Sequence, residues 1–177
     1  MAFGAGSEIF TQFINTIMEN FAAVNLATDV PKVALYNDTT APDQNAVVAS
    51  TAYAVGEWVV GNEVTDATGW PAGGNALAGT THAAAAALWT YDANDLPSVD
   101  NHTTLANVFG CLVYDDTLAA GCVDEGICYN SFGGAAQGVA AHTHVTPHVR
   151  TRCPAAWSGK MSWEMWVCRE QGGTSGI

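Results

Sequence analysis

The first apolar pattern in the chain predicts an amphipathic helix over residues 7–26. Apolar residues recur there at spacings of three and four, which places them on one helical face. They are Ile9, Phe10, Phe13, Ile14, Ile17, Met18 and Phe21. Ser7 is the predicted N-cap, and Glu8 suits the positive end of the helix dipole. The apolar face must be buried, either on the chain's own sheet or on a neighbouring subunit.

From Pro31 onward, short segments rich in β-branched and aromatic residues predict strands between Gly, Pro, Asn and Asp turns. The predicted strands include Val33 and Leu35 and cover residues 57–64, 84–91, 107–114, 126–132 and 159–168. Turn-forming residues predict loops over residues 37–45, 66–75, 92–102 and 118–125. The pattern predicts a mainly β protein, an antiparallel β-sandwich or roll with one N-terminal amphipathic α-helix.

The length of 177 residues fits one domain with terminal extensions. We expect an N-terminal helix or arm over residues 1–29 and a β-rich core domain over residues 30–137. Residues 138–177 are expected to form a C-terminal strand and interaction tail, either within the same domain or as an extension of it.

The composition indicates a surface that is poor in charge. Charged residues make up 12% of the chain, about half the usual share. Either a partner covers much of the surface, or Thr, Asn, Ser and Gly dominate it. The six Trp residues fit an interface, where aromatic side chains are enriched, and they equally fit a core.

The net charge of −12 is unevenly distributed along the chain. Residues 1–149 contain 15 acidic residues and a single base, Lys32, whereas residues 150–177 contain four bases against two acids. Binding to nucleic acid depends on clustered Lys and Arg, so direct nucleic-acid binding is not expected. An acidic body with a basic tail favours head-to-tail pairing of copies or docking on a basic patch. The acidity could also serve solubility alone.

The sequence predicts neither a signal peptide nor a membrane span. The first residues have no basic region, and the longest apolar run, residues 83–89, is too short to cross a bilayer. The five Cys residues are an odd number, unlike a secreted disulfide framework. We expect them to be reduced in the cytoplasm and mostly buried as small apolar side chains.

Two polar clusters are candidate sites of chemistry. His142, His144 and His148 could bind zinc with Cys153 as a fourth ligand, or lie in a solvated loop or edge strand. The pairs Asp115–Asp116 and Asp124–Glu125 could bind Ca²⁺ or perform acid–base chemistry, or bond to their own turns. No nucleophile–base set emerges, so we expect no enzyme activity, no cofactor and no resident metal.

Several phrases, taken in order, resemble a family of small virion structural proteins of tailed phages. They are Val33-Ala-Leu-Tyr36, Thr39-Thr-Ala-Pro42, Asn62-Glu-Val64, Trp70-Pro-Ala-Gly-Gly74 with Leu77, Leu112-Val-Tyr-Asp-Asp-Thr-Leu118 and Ile127-Cys-Tyr-Asn-Ser-Phe-Gly-Gly134. The resemblance covers roughly residues 30–134, and residues 138–159 depart from it. It implies a non-enzymatic protein that decorates or cements the capsid surface, made in the host cytoplasm.

The implied partners are the major capsid protein and copies of this chain, as a homo-oligomer within an icosahedral assembly. The candidate contact residues are Phe10, Phe13 and Ile17 on the helix and Trp163 and Trp166 in the tail. The alternative is a minor tail or connector protein, with surface carbohydrate binding as a further option. The candidate sugar-contacting residues are Trp58, Trp70, Trp89, Trp157, Trp163 and Trp166.

Overall fold

The computed structural model describes most of the N-terminal three quarters of the chain and three strands beyond it. The described residues are 6–19, 24–67, 69–85, 88–94, 96, 105, 107–118, 122–132, 146–152, 162–163 and 166–168. The description is of the backbone alone for residues 48–49, 84–85, 88–89, 146–152, 162–163 and 166–168.

Antiparallel strands dominate the described residues, in two sheets. The first sheet has the order β1-β7-β6-β2-β3, and the second has the order β10-β8-β5-β4 with β9 also paired to β8. The strands are β1 Glu8–Ile9, β2 Pro31–Tyr36, β3 Asn75–Ala76, β4 Thr81–Ala85, β5 Leu88–Asp92, β6 Gly110–Asp115, β7 Glu125–Ser131, β8 Thr146–Arg152, β9 Ser162–Trp163 and β10 Trp166–Cys168.

Helical structure is short in the described part of the chain. Helix α1 spans Thr11–Met18, helix α2 spans Val48–Thr51, and two 3₁₀ turns cover Gly56–Trp58 and Val60–Asn62. The predicted mainly β, antiparallel fold with a helix near the N-terminus is therefore confirmed. Its packing as a sandwich or roll stays a prediction, as do the domain divisions at residues 29 and 137.

The core lies against the first sheet, where β6 is buried along its whole length and β7 along all but its last residue. These two strands and β2 form the sheet's centre, because β2 pairs with β6 over six residues. Phe10, Trp58 and Trp70 pack into the same core, which also includes Tyr91 of β5. Each large apolar side chain that is fully buried contributes roughly 1.5–3 kcal/mol to stability.

The predicted helix over residues 7–26 is wrong at both ends. Ser7 is not its N-cap, because the helix begins after Phe10, which has an extended backbone and no side-chain cap. The preceding β1 pairs instead with β7, and the Ser7 hydroxyl accepts a hydrogen bond from the Ser131 amide at 3.0 Å. These bonds to the sheet stabilise the extended conformation. Helix α1 ends at Met18, and residues 26–28 form a turn.

Two predicted strands also require correction. The predicted strand 57–64 instead contains the end of the first 3₁₀ turn and all of the second, and Glu63 makes a single bridge to Tyr36. The backbone bends here because Trp58 enters the core. Within the predicted strand 84–91, the described residues belong to two paired strands, β4 and β5, in which Ala84 pairs with Trp89. By contrast, the strands predicted at 107–114 and 126–132 are confirmed as β6 and β7. Within the predicted strand 159–168, the described residues form β9 and β10.

Candidate functional site

The structure separates the three contact residues predicted on the helix. Phe10 and Phe13 are buried in the chain's own core, whereas Ile17 keeps 48% of its surface exposed. The Phe10 ring lies 5.5 Å from the Tyr129 ring and 6.0 Å from the Trp58 ring, measured between centroids. In this fold, only Ile17 of the three is available to a partner.

The C-terminal predictions fall on residues of which little is described. Trp163 lies in β9 and Trp166 in β10, but their side chains are outside the described residues. His142 and His144 are also outside them, while His148 lies in β8 and pairs with Trp166 in register. Among the described residues, no group of three or more His, Cys, Asp or Glu is placed to hold a metal ion.

Two of the candidate sugar-contacting residues are core residues. Trp58 and Trp70 are each 1% exposed, so neither presents a ring face on which a sugar could stack. Only the backbone of Trp89 is described, and Trp157 is outside the described residues.

A group of exposed valines surrounds buried Trp58. Val55, Val59 and Val60, called here the valine loop, are 38%, 39% and 51% exposed. The loop has this form because Trp58 occupies the end of a 3₁₀ turn and points into the core, while an extended residue, Val59, joins it to the next turn. Contiguous exposed apolar patches are typical of interaction surfaces, and Val59 and Val60 are adjacent in the chain. Sequence reasoning missed the loop because it assigned Val59 and Val60 to a strand.

The loop predicted over residues 118–125 is flanked by a buried carboxyl pair. Asp115 at the end of β6 and Glu125 at the start of β7 are partners across the two strands, and both are 0% exposed. The neighbouring Asp116 instead points outward and forms a 2.6 Å ion pair with Lys32. The sequence identified these acidic pairs but not which member of each pair is buried.

Burial changes the acidity of this pair. It raises the pKa of Asp115, and the adjacent Asp29 raises that pKa further. Burial also raises the pKa of Glu125, although hydrogen bonds from Thr16 and Cys122 lower it. Both carboxyls are closed to solvent, so they are poorly placed for acid–base chemistry on a substrate.

Another carboxylate, that of Glu63, connects the segments around Tyr53 and Gly73. Its two oxygens accept hydrogen bonds from the Tyr53 hydroxyl and the Gly73 amide, both at 2.9 Å. The Tyr114 hydroxyl donates to the Gly73 carbonyl at 2.6 Å, and the Tyr53 and Tyr114 rings stack at 4.8 Å. Burial raises the pKa of Glu63 and raises that of Tyr53 to about 12. This network is structural, since each polar group in it binds another part of the chain.

The buried cysteines fit the predicted apolar role. Cys111, Cys122 and Cys128 are free thiols and buried. Burial raises the pKa of Cys111 to about 12 and that of Cys128 well above its ordinary value. Because the thiolate is the reactive form, these two residues are unsuited to nucleophilic chemistry.

Comparison of the chain with protein-family models, with curated proteins and with solved structures finds no match. None of the described helices is long and apolar enough to cross a membrane. The functional assignment therefore depends on the geometry above and on the resemblance in the sequence.

Proposed function

We propose that this chain is a non-enzymatic virion structural protein that decorates or cements the capsid of a tailed phage. In this role it bridges neighbouring major capsid subunits and stabilises the head. The ordered phrases at residues 30–134 support the assignment to a virion. The valine loop is the observation that carries the binding role, because it presents aliphatic side chains on a well-anchored turn.

The phrases behind the resemblance also lie together in the fold, which supports reading them as one unit. Three of them supply β2, β6 and β7, which are consecutive in the first sheet. Two of the others contribute Glu63, which bridges to β2, and Gly73, whose amide donates a hydrogen bond to Glu63. Such a scaffold would hold the valine loop rigidly against a capsid surface.

A cement protein needs only modest affinity at each contact. Repeated copies on an icosahedral shell raise the effective concentration for every further contact, so weak interfaces add up to strong attachment. A small aliphatic loop with a polar rim is sufficient for this purpose. The acidic body would favour a basic surface on the major capsid protein.

The location of the protein is the first test. Purified virions are separated into heads and tails, and the protein is counted in each fraction by quantitative mass spectrometry. We expect hundreds of copies, tracking the heads, because decoration repeats with the capsid lattice. A handful of copies tracking the tails would replace this assignment with the minor tail or connector alternative. Absence from both fractions would refute a virion role.

The valine loop gives a sharper test of the binding surface. Val59→Asp and Val60→Asp each place a charge in the proposed interface, and we expect each to weaken binding to stripped heads by about 30-fold. The control is Thr81→Asp, which adds the same charge at an exposed position on β4. Binding isotherms on heads that lack the protein provide the measurement.

Circular dichroism checks that all three variants remain folded. If the valine-loop variants and Thr81→Asp lose equal binding affinity for heads, the added charge alone weakens binding. Unchanged binding by both loop variants would exclude the valine loop as the contact.

A further inference from the structure

Glu125 lies where helix α1 meets the first sheet, and Asp115 is its partner on the neighbouring strand. The two residues pair across β6 and β7, so their side chains lie on the same face of the sheet. From the helix, the Thr16 hydroxyl donates a 2.8 Å hydrogen bond to Glu125 Oε1. Thr16 is itself buried, which makes this a dry contact between helix and sheet.

Each carboxyl in the pair is only half satisfied. Oδ1 of Asp115 accepts the Thr117 amide at 2.9 Å, and Oε1 of Glu125 accepts Thr16. Oδ2 of Asp115 and Oε2 of Glu125 are buried without a hydrogen-bond partner. A buried carboxylate normally has both oxygens bonded or an opposite charge close by, because desolvation of an unpaired anion is costly.

Among the side chains that the structure describes, the groups around the pair include no compensating cation. Asp115 faces Asp29 from the turn before β2 and Tyr91 from β5. Glu125 faces Thr16 from α1 and Cys122 from the turn before β7. Lys32, the single base in residues 1–149, is engaged by Asp116. In the described part of the chain, the ionisable groups that face the pair are therefore neutral or acidic.

We propose that Asp115 and Glu125 form a proton-holding pair that fastens helix α1 to the sheet. The folded chain keeps a proton on this pair at a pH where the unfolded chain has released it. The proton neutralises one buried carboxyl, on an oxygen that otherwise has no partner. This inference concerns the fold itself and is independent of the proposed capsid role.

The sign of the pH dependence follows from the direction of the shifts. Both pKa values are raised in the folded chain, so the folded state binds more protons than the unfolded state. The stabilisation is fully present below the unfolded pKa, which is about 4. It is lost as pH rises through the folded pKa, by up to about tenfold in the folding equilibrium constant per pH unit for each proton retained.

The test compares urea unfolding from about pH 4 to about pH 8 for three proteins. In the natural chain, we expect the folding equilibrium constant to fall as pH rises. Glu125→Gln is a shape-matched neutral replacement and should show a smaller fall. Glu57→Gln makes the same chemical change at an exposed position and should retain the full slope. The half-buried Glu63 and Asp124 also have raised pKa values, but they are unchanged in all three proteins.

If the folding equilibrium constants of Glu125→Gln and Glu57→Gln depend equally on pH, the proposal for Glu125 is overturned. Asp115→Asn tests the other member of the pair in the same way. Infrared spectroscopy of the natural chain keeps the test decisive if the variants do not fold. A carbonyl band of a protonated carboxyl must persist in the folded protein above the pH at which exposed carboxyls ionise. Its absence would overturn the proposal without any variant.

Hydrogen exchange tests the link to the helix. After correction for the intrinsic pH dependence of exchange, amides of α1 should lose protection at a lower pH than amides at the centre of β2 and β6. If the amides of the helix and of the sheet lose protection at the same pH, the pair does not fasten α1 in particular.

Discussion

Replacing Trp58 by alanine is expected to lower the free energy of unfolding by about 3–5 kcal/mol. The indole is among the largest fully buried side chains in the described part of the chain. Its ring lies 5.0 Å from the Tyr36 ring and 6.0 Å from the Phe10 ring, with an edge-to-face arrangement in both cases. Its removal leaves a cavity between the 3₁₀ turn, the segment before α1 and the sheet.

Val59→Ala is the control for this prediction, because Val59 is the next residue and is exposed. We expect it to change stability by no more than about 0.5 kcal/mol. Urea unfolding monitored by circular dichroism measures both variants. A cost below about 1 kcal/mol for Trp58→Ala would contradict its placement in the core. A Trp58 variant that folds should also bind heads poorly, since the valine loop loses its anchor.

Gly74→Ala is the second substitution with a large expected effect. Gly74 has a φ of +71°, which an alanine adopts only with strain, and a Cβ there would overlap the Val33 carbonyl oxygen of β2. That overlap is with backbone of a strand paired on both sides, so relief requires the sheet to move. The left-handed conformation and the overlap together should cost about 2–5 kcal/mol.

Gly61→Ala is a matched control for Gly74→Ala. A Cβ at Gly61 would meet no atom within 4 Å. We expect this control to be neutral or to stabilise by up to about 1 kcal/mol, since alanine reduces the freedom of the unfolded chain. Thermal and urea unfolding of the two variants give the comparison. Equal stabilities for both would mean that the turn at Gly74 does not approach β2 as described.

The Gly74 position also affects the Glu63 network. The adjacent Gly73 amide donates to Glu63 Oε1, and the Gly73 carbonyl accepts the Tyr114 hydroxyl. A displaced turn would break both hydrogen bonds and leave the half-buried Glu63 carboxylate less well satisfied. We therefore expect Gly74→Ala to lower the free energy of unfolding by less in a Glu63→Gln background, because Glu63→Gln has already weakened the network.

The central strands could be predicted from the sequence because their pattern is local. β6 and β7 are short runs of β-branched, aromatic and small residues between turn residues, and the structure places both within a few residues of the prediction. The spacing of Phe13 and Ile17 likewise indicated a helix. Such patterns depend on side-chain shape and on chain periodicity, which neighbouring residues determine.

The elements that were predicted wrongly have a common cause: residues distant in sequence determine their backbone conformation. Ser7 and Glu8 look like a helix start, but Ser131 and Tyr129 of β7 bind them and hold the backbone extended. Residues 57–64 have strand-like composition, but the burial of Trp58 converts them into turns. In both places the energy gained from remote contacts exceeds the small local preference.

The sequence by itself determined the β-rich class, the presence of a helix near the N-terminus, the acidity and the candidate carboxylates. Only the tertiary structure decided that Phe10 is buried, that the valine loop is exposed, and that Glu125 rather than its neighbour Asp124 is fully enclosed. Periodicity says which residues share a face, but burial depends on what that face meets. Long-range contacts decide which surface covers that face, and one of them joins Thr16 to Glu125, 109 residues apart in sequence.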